Sequence, residues 1–254
     1  MSAWWKSFFD EDYLRLMSQA HSEEVNTGQA SDVWSMLDLA PGCRLLDAPC
    51  GWGRLSRPLA AMGATVVGVD QSETLLEAAE AQRGELPESR LRYLKHDLRE
   101  PLPESGFDVA CNIFTSLGYG TEEDDAAILR NLRGAVRPGG RVVVETNHRD
   151  MLCAYLARGA SSCRRLPDGT LFTDEPEFDA ISGIVRLHWY WSGPGWSGEK
   201  HAEWRCYTPT QLVAQLERAG LRLAGAYQGL SKTPYKAEGP QAGGRLALVG
   251  VRDD

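Results

Sequence analysis

Two carboxylates bracket a glycine turn in the first third of the chain: Asp47, then Pro49-Cys50-Gly51-Trp52-Gly53, then Asp70. A dinucleotide fingerprint needs a third glycine, G-x-G-x-x-G, and Ser56 stands in its place. A carboxylate at Asp47 repels a pyrophosphate and suits a ligand that carries an ammonium or a sulfonium. A carboxylate at Asp70 can accept both hydroxyls of a ribose. The residues therefore ask for a nucleoside joined to a cation, without phosphate.

The element that positions them is a βαβ unit from Arg44 to Asp70. It reads as a strand (44–48), the glycine turn (49–53), a helix (54–62) and a second strand (65–70). Such a unit sets a helix N-terminus over the carboxyl edge of a parallel sheet, where nucleotide-like ligands bind. Alternation continues with a helix at 73–83 capped by Ser72, strands at 91–95 and 107–114, a helix at 122–133 and a fifth strand at 141–146. A helix over 209–219 and strands at 221–227 and 245–251 close the chain. The expected fold is α/β, a doubly wound, mostly parallel seven-stranded sheet with a C-terminal antiparallel hairpin.

Two stretches lie outside this alternation. Apolar residues at Trp5, Phe8, Phe9, Tyr13, Leu16 and Met17 have helical spacing, predicting one amphipathic helix over 4–17 with Asp10, Glu11 and Asp12 on its solvent side. A second helix is predicted over 29–39, and a short one over 151–158. Between 163 and 207, strand-like runs at 185–191 and 202–207 flank a turn at Gly193-Pro194-Gly195, predicting antiparallel hairpins. The expected organisation is an N-terminal helical lid (1–40), a core (41–150 and 208–254) and an inserted substrate-covering β region (151–207).

The 254 residues carry a net charge of −8 with 43% apolar residues. That balance supports a buried core and weighs against a nucleic-acid or anionic-membrane partner. Six cysteines show no C-x-x-C pair and no metal spacing, so free thiols in a reducing cytoplasmic protein are expected. The N-terminus lacks the apolar run of a signal peptide, and no stretch is long and apolar enough to span a membrane.

Nucleoside plus cation without phosphate describes S-adenosylmethionine, and the chain resembles a class I S-adenosylmethionine-dependent methyltransferase of the small-molecule type. The resemblance rests on LLDAPCGWGR, GVDQS, KHDL, FDVACNIFTSLGY and RPGGRVVVET at successive strands, and on the closing helix ending in AG. The turn departs from the common D-x-G-x-G-x-G of the family, with Pro49 and Cys50 at and after the first glycine position. The resemblance implies that Asp47, Ala48, Pro49, Cys50, Gly51 and Gly53 surround the methionine moiety, and that Asp70 holds the ribose. It implies Gln71, His96, Asp97 and Leu98 at the adenine, and Asn112, Ile113 and Phe114 beside the sulfonium.

The acceptor is less legible. No N-P-P-Y-like motif follows the fourth strand, which weighs against nucleobase or glutamine amide acceptors. Glu145, Asn147 and Asp150 do not have a convincing metal spacing, so no metal is assigned. His148, after the fifth strand, is the first candidate for a general base, against a merely structural role; Tyr13 and Tyr207 follow. Trp5, Phe9, Ser116, Tyr119, Arg149 and Trp191 are expected to meet the acceptor, a small organic molecule methylated at O or N under an apolar lid. A monomer or homodimer is expected. The competing readings are an RNA or protein methyltransferase, a cofactor-binding cyclase or regulatory module, and a nicotinamide-dependent enzyme.

Overall fold

A computed structural model of the chain describes residues 3–157, 159, 161–235 and 244–254. The predicted helix over 4–17 is two helices, α1 (Trp5–Phe8) and α2 (Glu11–Ala20). Asp10 breaks it, because its carboxylate caps α2 by accepting the Tyr13 N–H at 3.0 Å. Asp10 is thus half-buried and structural, while Glu11 and Asp12 complement the positive end of α2. The next helix, α3 (Glu23–Met36), starts well before the expected residue 29, since Ser22 caps it through the Val25 N–H.

The core then alternates as β1 (Arg44–Asp47), α4 (Ser56–Ala61), β2 (Thr65–Asp70), α5 (Glu73–Ala81), β3 (Leu91–Lys95), β4 (Phe107–Asn112), α6 (Glu122–Ala135) and β5 (Val136–Asn147). A short helix, α7 (Arg149–Leu156), leads into four strands, β6 (Ser162–Arg165), β7 (Leu171–Asp179), β8 (Ile184–Gly193) and β9 (Trp196–Arg205). Last come α8 (Pro209–Arg218), β10 (Arg222–Gln228) and β11 (Arg245–Val251).

The main sheet has the order β10-β11-β5-β4-β1-β2-β3, with β11 antiparallel to both its neighbours and the other pairs parallel. From β1 the chain passes to β2 on one side and to β4 on the other, which opens a crevice at the carboxyl edge. Alternate side chains fill the two faces. Leu46, Val67, Ala110 and Val142 pack with Leu129, Leu132, Leu212 and Leu216 of α6 and α8. Leu45, Val66, Val109 and Val143 pack with Val33 and Leu59 of α3 and α4. This burial on both faces explains the near-continuous apolar strands.

β4 stops at Asn112, two residues short of the expected end, because Phe114 (φ 74°) and Thr115 (φ 60°) take the left-handed conformation. The four strands β6 to β9 form a separate antiparallel sheet, with the β8–β9 pair running from Ile184↔Arg205 to Gly193↔Trp196 around Pro194-Gly195.

Candidate active site

A cavity of about 340 Å³ opens at the carboxyl edge, between the ends of β1, β2 and β4 and the aromatic side chains of α1, α2, β8 and β9. Its two ends differ in chemistry.

At the polar end, Asp70 is buried, which raises its pKa, while backbone N–H groups act the other way: Gly51 donates to Oδ2 and Ser72 to Oδ1, both at 2.9 Å, and the Gln71 N–H also favours the carboxylate. Gly51 (φ 55°) lines the cavity, and a side chain there would meet protein only at Leu75 Cδ1, 4.0 Å away, so the space before this backbone is open to a ligand. Asp47 accepts the Ser56 hydroxyl at 2.5 Å, and its burial pushes its pKa up to about 6. Pro49, Cys50, Gln71, His96, Asp97 and Leu98 line the same end. Arg99 Nε lies 2.9 Å from Asp97 Oδ1 and holds that carboxyl below its ordinary range.

Gly53, Ala48 and Asn112 are not in the cavity wall. Gly53 (φ 73°) is needed for packing, since a Cβ there would run into the Tyr93 hydroxyl. Asn112 Nδ2 donates to the Ala48 carbonyl at 2.8 Å and its Oδ1 accepts from Ser116 Oγ at 2.6 Å, tying the ends of β1 and β4 together. Ile113, Phe114, Thr115 and Ser116 do reach the cavity. The left-handed pair is held from β5: Glu145 Oε2 accepts the Phe114 N–H at 2.9 Å, and its backbone carbonyl accepts the Thr115 N–H at 3.1 Å.

The other end is aromatic. Trp4 meets Tyr119 at 4.8 Å, Phe9 meets Tyr13 at 4.9 Å and Phe8 meets Trp189 at 5.2 Å between ring centroids, with Trp5 and Trp204 completing the lining. Burial raises the pKa of both Tyr13 and Tyr119, which keeps their phenols protonated. Ser72 Oγ, beside the Asp70 carboxylate, donates to the Phe9 carbonyl at 2.6 Å, and Lys200 pairs with Asp10 at 2.6 Å. The N-terminal helices are therefore tied to both β2 and the second sheet.

Four sequence candidates lie elsewhere. His148 is buried behind the cavity edge, its Nε2 2.8 Å from the Tyr235 hydroxyl and its ring stacked on that tyrosine. Asn147 lines the cavity and its neighbour His148 does not, so following the strand end was insufficient to place a base. Tyr207 donates to Asp125 Oδ2 at 2.5 Å as a buried brace. Arg149 stacks over Phe178, and Trp191 packs with Phe172 and Trp196. Glu145, weighed above as a metal ligand, is ion-paired with Arg245. Missed by sequence reasoning were Arg54, Trp52 and Arg245, all in the lining. Arg54 and Trp52 sit inside the recognised turn, whereas nothing local marks Arg245.

Residues 45–140 match the methyltransferase domain family. A ubiquinone biosynthesis O-methyltransferase of Ruegeria pomeroyi is 36% identical over 172 residues, 59% of this chain and 67% of that protein. The chain belongs to the class I S-adenosylmethionine-dependent methyltransferases. An enzyme of the same description from Rhizobium etli is 36% identical over 137 residues, 51% of this chain and 52% of its own, so the chain spans about half the length of that relative. The fold recurs in an S-adenosylmethionine-dependent methyltransferase from Clostridium acetobutylicum, with a TM-score of 0.73 at 15% identity over 94% of this chain and 95% of that one. The cofactor of the methyltransferase family is S-adenosylmethionine, and the chemistry of the polar end fits it: two buried carboxylates, Asp47 and Asp70, and open backbone at Gly51.

Proposed function

We propose that the chain transfers a methyl group from S-adenosylmethionine to a nitrogen or oxygen of a small organic acceptor. When bound, S-adenosylmethionine supplies an electrophilic methyl group on a sulfonium. Asp70 and Gly51 hold the nucleoside, Asp47 accepts the ammonium, and the turn at Ile113–Thr115 borders the space between the two ends of the cavity. The observation that carries the acceptor reading is the aromatic end itself: Trp4, Phe8, Phe9, Tyr119, Trp189 and Trp204 exclude water and leave room for a compact, partly apolar molecule.

Proton handling narrows the acceptor. Among the described lining residues, Tyr13 and Tyr119 are held protonated, and Asp125 is engaged by the Gly118 N–H and the Tyr207 hydroxyl. With His148 turned away, we take Asp125, whose pKa burial pushes up to about 6, as a brace of the wall and not as the base, since each of its oxygens already accepts a donor. The acceptor atom thus brings its own lone pair, as a neutral amine or an oxygen acidic enough to ionise near neutrality. Catalysis then comes from in-line placement in a dry site. The relatives named for O-methylation in ubiquinone biosynthesis favour the oxygen. The net charge of −8 weighs against RNA.

The test is a panel of amines, acidic phenols, simple alcohols, RNA and protein, read by S-adenosylhomocysteine release. Turnover with amines or acidic phenols and none with alcohols is expected. Turnover confined to RNA or protein would overturn the reading.

A further inference from the structure

Tyr13 and Tyr119 each bring a phenol hydroxyl to the cavity with nothing bonded to it. Tyr13 lies on α2 and is 7% exposed, and Tyr119 lies half-buried between β4 and α6. Neither hydroxyl has a hydrogen-bond partner among the described residues. The indole N–H groups of Trp4 and Trp204 are unpartnered too, but these are sealed from solvent within the packing, whereas the two phenols open onto the cavity. A polar group withdrawn from water without a partner is costly, so the two hydroxyls call for a partner on the ligand.

The two rings flank Phe9, Tyr13 edge-on at 4.9 Å and Tyr119 stacked at 6.0 Å. Tyr119 also meets Trp4, and Tyr13 meets Trp52 and Trp189, so packing fixes both rings and only the O–H groups can turn. Arg54 and Asp70 face Tyr13, and Tyr13, Asp70 and Arg245 face Tyr119. Burial keeps both phenols protonated, so they serve as donors. A neutral amine has one lone pair and needs it for the methyl group, so two donors aimed at it would block transfer. An oxyanion has lone pairs for both donors and for attack, and hydrogen bonds to an ion are the strong ones.

We propose that Tyr13 and Tyr119 donate their phenol O–H groups to the reacting oxygen of the acceptor, a phenol or enol bound as its anion. This deepens the proposed function and rests on it. The acceptor's proton leaves to water on binding, and the two donors replace the water that the oxyanion loses. Both tyrosines keep their own protons, because burial makes them far weaker acids than such an acceptor.

The test binds 4-nitrophenol, whose phenolate absorbs in the visible, to protein saturated with S-adenosylhomocysteine, and follows the phenolate band against pH. Wild type should raise the ionisation constant of the bound phenol at least about tenfold over its value in buffer. Tyr13→Phe and Tyr119→Phe should each lose part of that shift, and the double variant nearly all of it. Nitrobenzene, which lacks the hydroxyl, should bind wild type and variants within about threefold of one another, since the cavity walls are unchanged. The wild-type comparison needs no variant. An unshifted phenol in wild type, no binding of 4-nitrophenol to wild type, phenylalanine variants that keep the wild-type shift, or variants that weaken both probes alike would overturn the assignment. Calorimetry of S-adenosylhomocysteine with wild type comes first. No binding there would overturn the cofactor reading and this inference with it, a result distinct from an unshifted phenol.

Discussion

Arg245 and Glu145 form a two-point ion pair across the β5–β11 ladder, diagonal to the register pairs Arg245↔Asn147 and Ala247↔Glu145. Glu145 is 2% exposed, and Arg245 Nη2 also donates to Thr115 Oγ1 at 3.0 Å. The pair thus grips the left-handed turn at Phe114 and Thr115, which carries backbone strain at the site. Arg245→Met leaves the buried Glu145 unpaired and is expected to cost about 3 kcal/mol, read by urea unfolding. Adding Glu145→Gln should recover part of that loss, because the stranded charge is gone. A double variant as unstable as the sum of the single ones would show that the pair is not coupled.

With Asp47 proposed to hold the ammonium, cofactor affinity should depend on pH. Its pKa in the ligand-free fold is about 6, above the unfolded value of about 3.9, with burial as the main cause. The ionised form is therefore the disfavoured one, and this group adds stability to the free protein as pH falls from about 6 towards 4. Ligand binding has the opposite sign, since an ammonium needs the carboxylate. S-adenosylhomocysteine should bind about tenfold more weakly at pH 5 than at pH 8, and Asp47→Asn should bind more weakly at pH 8 and lose most of that dependence, the remainder belonging to Asp70, whose pKa burial also raises. An unchanged pH dependence in Asp47→Asn would remove Asp47 from the ammonium.

Gly53 and Tyr93 make a separate prediction. Gly53→Ala combines a positive φ with a clash against the Tyr93 ring, and should cost about 2–4 kcal/mol in thermal or urea unfolding. Tyr93→Phe removes a buried hydroxyl that has no partner among the described residues, and should leave stability equal or higher. A clear loss in Tyr93→Phe would mean that the hydroxyl is satisfied in solution.

His148→Ala should keep turnover within about threefold of wild type, because the ring is packed on Tyr235 away from the cavity. Losing that hydrogen bond should cost about 1–2 kcal/mol of stability. A hundredfold fall in turnover with intact cofactor binding would return His148 to the chemistry.

The polar end of the cavity was legible in the sequence because one continuous stretch, Arg44 to Asp70, carries both its geometry and its charges. Strand periodicity, the glycines and the two acids are local signals that tertiary structure had little freedom to change. The aromatic end is assembled from α1, α2, β8, β9 and the turn after β4, so aromatic content was visible but the selection among rings was not. Trp191 and Trp189 differ by one pleat repeat; Trp189 lines the cavity while Trp191 packs beside Phe172. His148 and Asn147 differ by one residue, and only the exit of the chain from β5 decides which of them the cavity receives. Arg245 is 100 residues from its partner Glu145, and nothing local in its sequence announces the pair. The break between α1 and α2 was readable in principle, since Asp10 precedes two acids in the manner of an N-cap, but the aromatic periodicity ran across it and prevailed.

We propose that Asp70 and the glycine turn hold the nucleoside of S-adenosylmethionine. Calorimetric titration of S-adenosylhomocysteine into wild type and Asp70→Ala tests it most directly. Saturable binding to wild type, weakened at least about tenfold in the variant, is the predicted result. Equal affinity in the two proteins, or binding of NAD and not of S-adenosylhomocysteine to wild type, would contradict it.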